Sequence, residues 1–85
     1  MPKNVQCLYL MNNQAVIAEV IEVMSEIGDP DCKLINPFII NQSSMELSKW
    51  LNFTSQSDIM IRSSDVLTFV EPTEELLADY LSQTD

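Results

Sequence analysis

The sequence predicts a mostly-β fold: five short strands forming one small, strongly bent sheet or barrel, with a C-terminal helix, in a single domain over residues 1–85. Three observations predict it. Val5 to Met11 alternates with a period of two; β-branched residues crowd the stretch from Ala15 to Ile27; and turn-forming clusters recur between apolar runs too short for helices. The strands fall within residues 3–70 and the helix over about 73–82.

In the first strand, Val5, Cys7, Tyr9 and Met11 share one side and Gln6, Leu8 and Leu10 the other, so both faces expect cover. Asn12-Asn13 tolerates left-handed backbone angles and suits a tight turn into a second strand. The stretch Ala15 to Ile27 has two readings. Glu19, Glu22 and Glu26 recur at helical spacing, whereas Val16, Ile17, Val20, Ile21, Val23 and Ile27 have stiff β-branched side chains that favour a pleated surface. As a strand it is long enough to require a bend or bulge.

Gly28-Asp29-Pro30-Asp31 reads as a turn, with the chain's one glycine where a positive φ costs least. Cys32 to Ile35 and Phe38 to Ile40 form a third strand, with a bulge or edge at Pro37 because proline cannot donate to a ladder. Asn41 to Ser44 is a polar loop, and Met45 to Thr54 reads equally as an extended piece or a helical turn, with Trp50 as a core plug. Asp58 to Arg62 and Val66 to Val70 read as a tight hairpin about Ser63-Ser64-Asp65. Pro72 ends the sheet. Thr73 or Glu71 then caps a helix with Glu74 and Glu75 at its positive end, and its apolar stripe of Leu76, Leu77, Tyr80 and Leu81 calls for a docking surface.

A chain of 85 residues buries only about 60 to 65% of the surface its unfolded form exposes, and a core of that size yields about 3 to 5 kcal/mol. Small domains supplement this with disulfides, a structural metal or oligomerisation. With two cysteines and no histidine the chain has no paired ligand spacing for zinc and calls for no cofactor. The Met1-Pro2-Lys3-Asn4 start carries no secretory pattern, so Cys7 and Cys32 are expected as reduced core residues in a cytoplasmic setting. The Asn41-Gln42-Ser43 and Asn52-Phe53-Thr54 glycosylation matches are read as chance for the same reason. Self-association is the supplement that remains.

Thirteen acids against Lys3, Lys33, Lys49 and Arg62 give a net charge of −9, which disfavours general nucleic-acid binding. The C-terminal segment holds Glu71, Glu74, Glu75, Asp79 and Asp85 with no base, a solvated helix face or a docking surface for a basic protein. No apolar run approaches the ~18 residues of a membrane span. General acid or base chemistry would fall to Glu19, Glu22 and Glu26, for which a solvated face is the plainer reading. One glycine cannot build a phosphate-binding loop, and the chain is not expected to be an enzyme.

The run Ile59-Met60-Ile61-Arg62-Ser63-Ser64-Asp65-Val66-Leu67-Thr68-Phe69-Val70 resembles the second signature of Sm and Sm-like proteins, an apolar strand ending in Ile-Arg-Gly, a polar turn and a short apolar strand. Ile61 and Arg62 match, and Ser63 stands where the family has glycine. The first signature falls on Asp29, Cys32 and Lys33, with Lys33 in place of its asparagine. Sm-like chains begin with a helix, whereas this one enters its first strand almost at once. The resemblance favours strand over helix for Ala15 to Ile27 and implies a bent barrel assembling into a homo-oligomeric ring. Its interface would pair Ile59, Met60 and Ile61 of one copy with Val66, Leu67 and Phe69 of the next, covering edges that otherwise aggregate. It also implies single-stranded RNA as a ligand, held by Asp29, Lys33, Arg62 and Ser63, with Arg62 otherwise pairing with Asp58 or Asp65. Taken whole, the chain is similar to small proteins of marine cyanophages and ocean metagenomic samples through Lys33 to Ile40 and Ile61 to Asp65, which implies a bacterial host cytoplasm.

Overall fold

The computed structural model describes residues 4–51 and 53–84. Lys3, Asn52 and Asp85, named above for charge and glycosylation, lie outside the described residues. Within them the chain runs β1 (Val5–Leu10), β2 (Ala15–Glu22), β3 (Cys32–Ile40), β4 (Leu47–Lys49), β5 (Asp58–Ile61), a 3-10 turn (Ser63–Asp65), β6 (Val66–Val70) and α1 (Glu74–Thr84). All six strands belong to one antiparallel sheet, ordered β4-β3-β2-β1-β6, with β5 beside β4 on the same margin of β3. The predicted mostly-β class is therefore found. One strand is added, from the Met45 to Thr54 segment whose sequence had two readings.

Asn13 takes a positive φ of 68° and donates from its N–H to the Leu10 carbonyl, closing the β1-β2 turn as the two asparagines suggested. β2 is a strand from Ala15 to Glu22, so the helical reading of its glutamates is set aside there. Its alternation explains why: Val16, Ala18 and Val20 enter one apolar cluster and Ile17 the opposite one, which demands cover on both faces. Beyond Glu22 the chain leaves the sheet, and Met24 and Ile27 are fully exposed.

The bulge expected near Pro37 is present. Ile17 faces Phe38 and Glu19 faces Ile35, so Asn36 and Pro37 together oppose Ala18. Asn36 adopts a φ of 51°. At the same point β3 exchanges neighbours on its other side, pairing with β5 over Cys32 to Ile35 and with β4 over Phe38 to Ile40.

The expected β5-β6 hairpin is corrected. β5 pairs with β3 and β6 with β1, placing the two strands on opposite margins of the sheet. In a flat sheet four inter-strand steps of about 4.8 Å would separate them by roughly 19 Å. A connection containing a three-residue 3-10 turn, rising about 2 Å per residue, favours a shorter span, so the sheet curls. The curl is not closed by a β5-β6 ladder among the described residues. Polar Ser63-Ser64-Asp65 suits a turn of either kind, and only the pairing partners distinguish them.

Inside the curl, Leu8, Leu10, Val16, Ala18, Val20 and Leu34 form a buried cluster against which Trp50, Ile61 and Val66 pack. The outer face is covered by α1: Leu76 and Tyr80 join Cys7, Ile17 and Ile40, and Phe38 meets the Tyr80 ring edge-on at 5.9 Å. The Thr73 hydroxyl accepts the Leu76 N–H at 3.2 Å, capping the helix as predicted. Burial of these side chains, at about 1.5 to 3 kcal/mol for each large one, is the main stabilising term. Cys7 and Cys32 are buried and free, as expected of small core residues.

Candidate functional site

The β2-β3 loop and the β5-β6 turn, two segments far apart in sequence, converge at one end of the curled sheet. Gly28, at a φ of 93°, turns the first segment back, and the Asp29 N–H donates to the Glu26 carbonyl inside that turn. Val23 N–H then donates to the Asp31 carbonyl, so the loop returns to the end of the strand it left. Asp31 reaches across to the other segment. Its N–H donates to the Ile61 carbonyl at 3.2 Å, and its carboxylate accepts the Ser63 N–H at 2.7 Å and the Ser63 hydroxyl at 2.6 Å. These bonds hold the Asp31 carboxyl below its ordinary pKa, the Ser63 hydroxyl contributing first and its N–H second.

Two adjoining clefts flank this clasp. One, of about 490 Å³, lies between the N-terminal strand and the loop, with Gln6, Glu22, Cys32 and Phe69 in its walls. The other, of about 700 Å³, is bounded by Met24, Glu26, Ile27 and Asp29 on one side and by Arg62 and Ser64 on the other. Val23, Asp31 and Ser63 line both.

Of the four residues expected to hold RNA, Asp29, Arg62 and Ser63 share the second cleft. Lys33 stands apart from it. Its cross-strand neighbours are Ile21 and Met60, so by the pleat it points to the opposite face from Cys32 and Glu22, and its ammonium pairs with Asp58 at 3.3 Å. The Arg62 Nε lies 3.4 Å from the Asp65 carboxylate, the nearer of its two expected acidic partners. Lys49 donates to the Thr54 carbonyl at 2.8 Å.

Asp31 is the residue that sequence reasoning read only as part of a turn. The signal lay in Ser63: a hydroxyl where the resembled signature has glycine, opposite an acid at the end of the other loop.

The margins carry the expected interface residues. Met60, Leu67 and Phe69 are exposed on β5 and β6, while Ile59, Ile61 and Val66 are half-buried, the last two against the inner cluster. Val70 at the end of β6 is also exposed. Among the described residues, β5 and β6 each have a strand on one side only. No helix there is long and apolar enough to cross a membrane.

All of this geometry lies within residues 3–85, the span matched by the family described as "Family of unknown function (DUF6561)". No curated protein matches the chain.

Proposed function

The chain belongs to this family of unknown function (DUF6561), and we propose that it is a non-catalytic, Sm-like scaffold that assembles into a ring by pairing β5 of one copy with β6 of the next. The observation that carries this reading is the position of the two strands. They stand on opposite margins of one curled sheet, joined by a short turn, and each has one side without a neighbour among the described residues. Pairing opposite margins is a head-to-tail contact, which closes into a ring when the rotation per subunit divides a full turn. It would cover Met60, Leu67 and Val70, whose exposure on edge strands otherwise favours aggregation. Two free, buried thiols suit the reducing cytoplasm proposed for such a protein, with a bacterial host as the setting that the phage resemblance suggests. Light scattering at micromolar concentration tests the ring. A defined oligomer larger than a dimer is expected, and a stable monomer overturns it.

Single-stranded RNA is the ligand the resemblance implies, at Asp29, Lys33, Arg62 and Ser63. The ion pairs favour a second reading, an acidic module that binds a basic protein. Lys33 and Arg62 each stand beside a carboxylate, so a phosphate backbone approaching either cation would meet the like charge of Asp58 or Asp65. Titration of labelled A-rich and U-rich strands at low salt separates the two, because RNA with no affinity there has none at cellular salt.

A further inference from the structure

The cleft between the β2-β3 loop and the Arg62 turn offers apolar side chains that the fold itself does not use. Met24 and Ile27 are fully exposed, more so than any other large apolar side chain in the described residues, and both stand in the wall of the 700 Å³ cleft. Neither belongs to the two core clusters. The backbone of the cleft is tied in place: the Val23–Asp31 and Asp29–Glu26 backbone bonds shape one wall, and the Asp31–Ser63 clasp fixes it to the other. A backbone so held spares a ligand part of the cost of ordering the loop. Methionine, flexible and polarizable, is well suited to seat a varied apolar side chain.

Charge selects the occupant. Glu26, Asp29 and Asp31 line the cleft, Glu22 stands in the wall of the adjoining one, and the cation here, Arg62, is held by Asp65. A second copy would bring its own −9 against these carboxylates, and a nucleic acid would bring phosphates. A lysine- or arginine-rich segment brings the complementary sign.

We propose that this cleft docks a cationic segment of a partner protein, seating one apolar anchor between Met24 and Ile27 while flanking lysines or arginines meet Glu22, Glu26 and Asp29. The proposal rests on the acidic-module reading and moves its contact surface from the helix to the loop.

The test is fluorescence anisotropy at low salt with a short labelled peptide in which single leucines are flanked by lysines. A lysine-serine peptide of equal charge is its control. The leucine peptide is expected to bind, and the control to bind about tenfold more weakly. Met24→Ser with Ile27→Ser, at positions the fold leaves in solvent, is expected to remove that difference, and Glu26→Lys with Asp29→Lys to remove binding. Equal binding of both peptides to the native protein overturns the apolar anchor. Binding that survives the loop variants but is lost with Glu74→Lys, Glu75→Lys and Asp79→Lys overturns the cleft and leaves the acidic-module reading standing. Absence of binding by either peptide overturns both. A change of oligomeric state in the Met24→Ser, Ile27→Ser variant, read by light scattering, assigns the cleft to a second copy and overturns the cationic partner.

Discussion

Asp31 and Ser63 are joined by two hydrogen bonds to one carboxylate, at 2.7 Å from the backbone and 2.6 Å from the hydroxyl, and they fasten the β2-β3 loop to the β5-β6 turn. The carboxyl is held below its ordinary value of 3.8. A group whose pKa falls on folding contributes stability that is whole above its unfolded value and is lost as pH falls through its folded one. The clasp is therefore intact at neutral pH and fails only in strong acid. Ser63→Ala is expected to lower the urea midpoint at neutral pH, with a difference from the native protein that shrinks as pH falls below 3.8. A difference that stays constant down to about pH 2.5 would remove Asp31 from the account.

Tyr80 links the helix to the bulge. Its hydroxyl donates to the Ile35 carbonyl at 2.9 Å and accepts the Glu19 N–H at 3.1 Å, the pair of residues that flanks the irregular register. Tyr80→Phe keeps the ring against Phe38 and leaves both backbone groups short of a partner. A loss of about 1 to 3 kcal/mol is expected. At about 4 to 8 °C per kcal/mol for a domain of this size, thermal unfolding reads it directly.

The two thiols should be silent in the native protein. Burial pushes the Cys7 thiol up; burial first, then the Asp31 and Glu22 carboxylates, push Cys32 up. Both lower the thiolate fraction that reacts. Iodoacetamide at neutral pH is expected to leave both unmodified in the folded protein and to alkylate both in urea, as read by mass spectrometry. Native labelling of Cys32 at the rate of a free thiol would show that its cleft opens.

Leu67→Lys places a charge on the exposed margin of β6 while leaving the core clusters intact. If β6 pairs with a neighbouring copy, the oligomer should weaken by about tenfold or more in dissociation constant. Salt should strengthen the native assembly, because it screens repulsion between subunits that each carry −9. Peptide docking at the loop should weaken with salt. Opposite salt trends therefore separate the two surfaces.

Local chemistry announced much of the fold. The period of two in β1, the asparagine turn and the proline bulge each act within a few residues, and each is found where the residues put it. The partners of β5 and β6 are a different matter. Two short apolar runs around a polar turn satisfy a hairpin and an edge-to-edge arrangement equally, and the choice depends on how far β1, β2 and β3 curl. The site divides in the same way. Arg62 and Ser63 share a cleft with Asp29, but Lys33, one residue beyond buried Cys32, is carried by strand alternation to the other face. Asp31 was hidden because an acid beside Pro30 has a sufficient explanation as a turn residue.

β3 is served on one side by two partners in succession, and the chain between them leaves the sheet at Trp50, whose N–H donates to the Pro37 carbonyl, and returns at Ser57, whose carbonyl accepts the Asn36 N–H. Among the described residues, the detour between those two attachment points contributes no rung to the ladder. Its exposed Ser55-Gln56 tip is therefore a natural splice point. An inserted epitope or fluorophore there would lengthen a surface excursion, at an entropic cost of about 0.6 kcal/mol for each doubling of its length, and would leave the β6 margin and the cleft untouched, disturbing at most the bond from the Gln56 side chain to the Asp58 carbonyl.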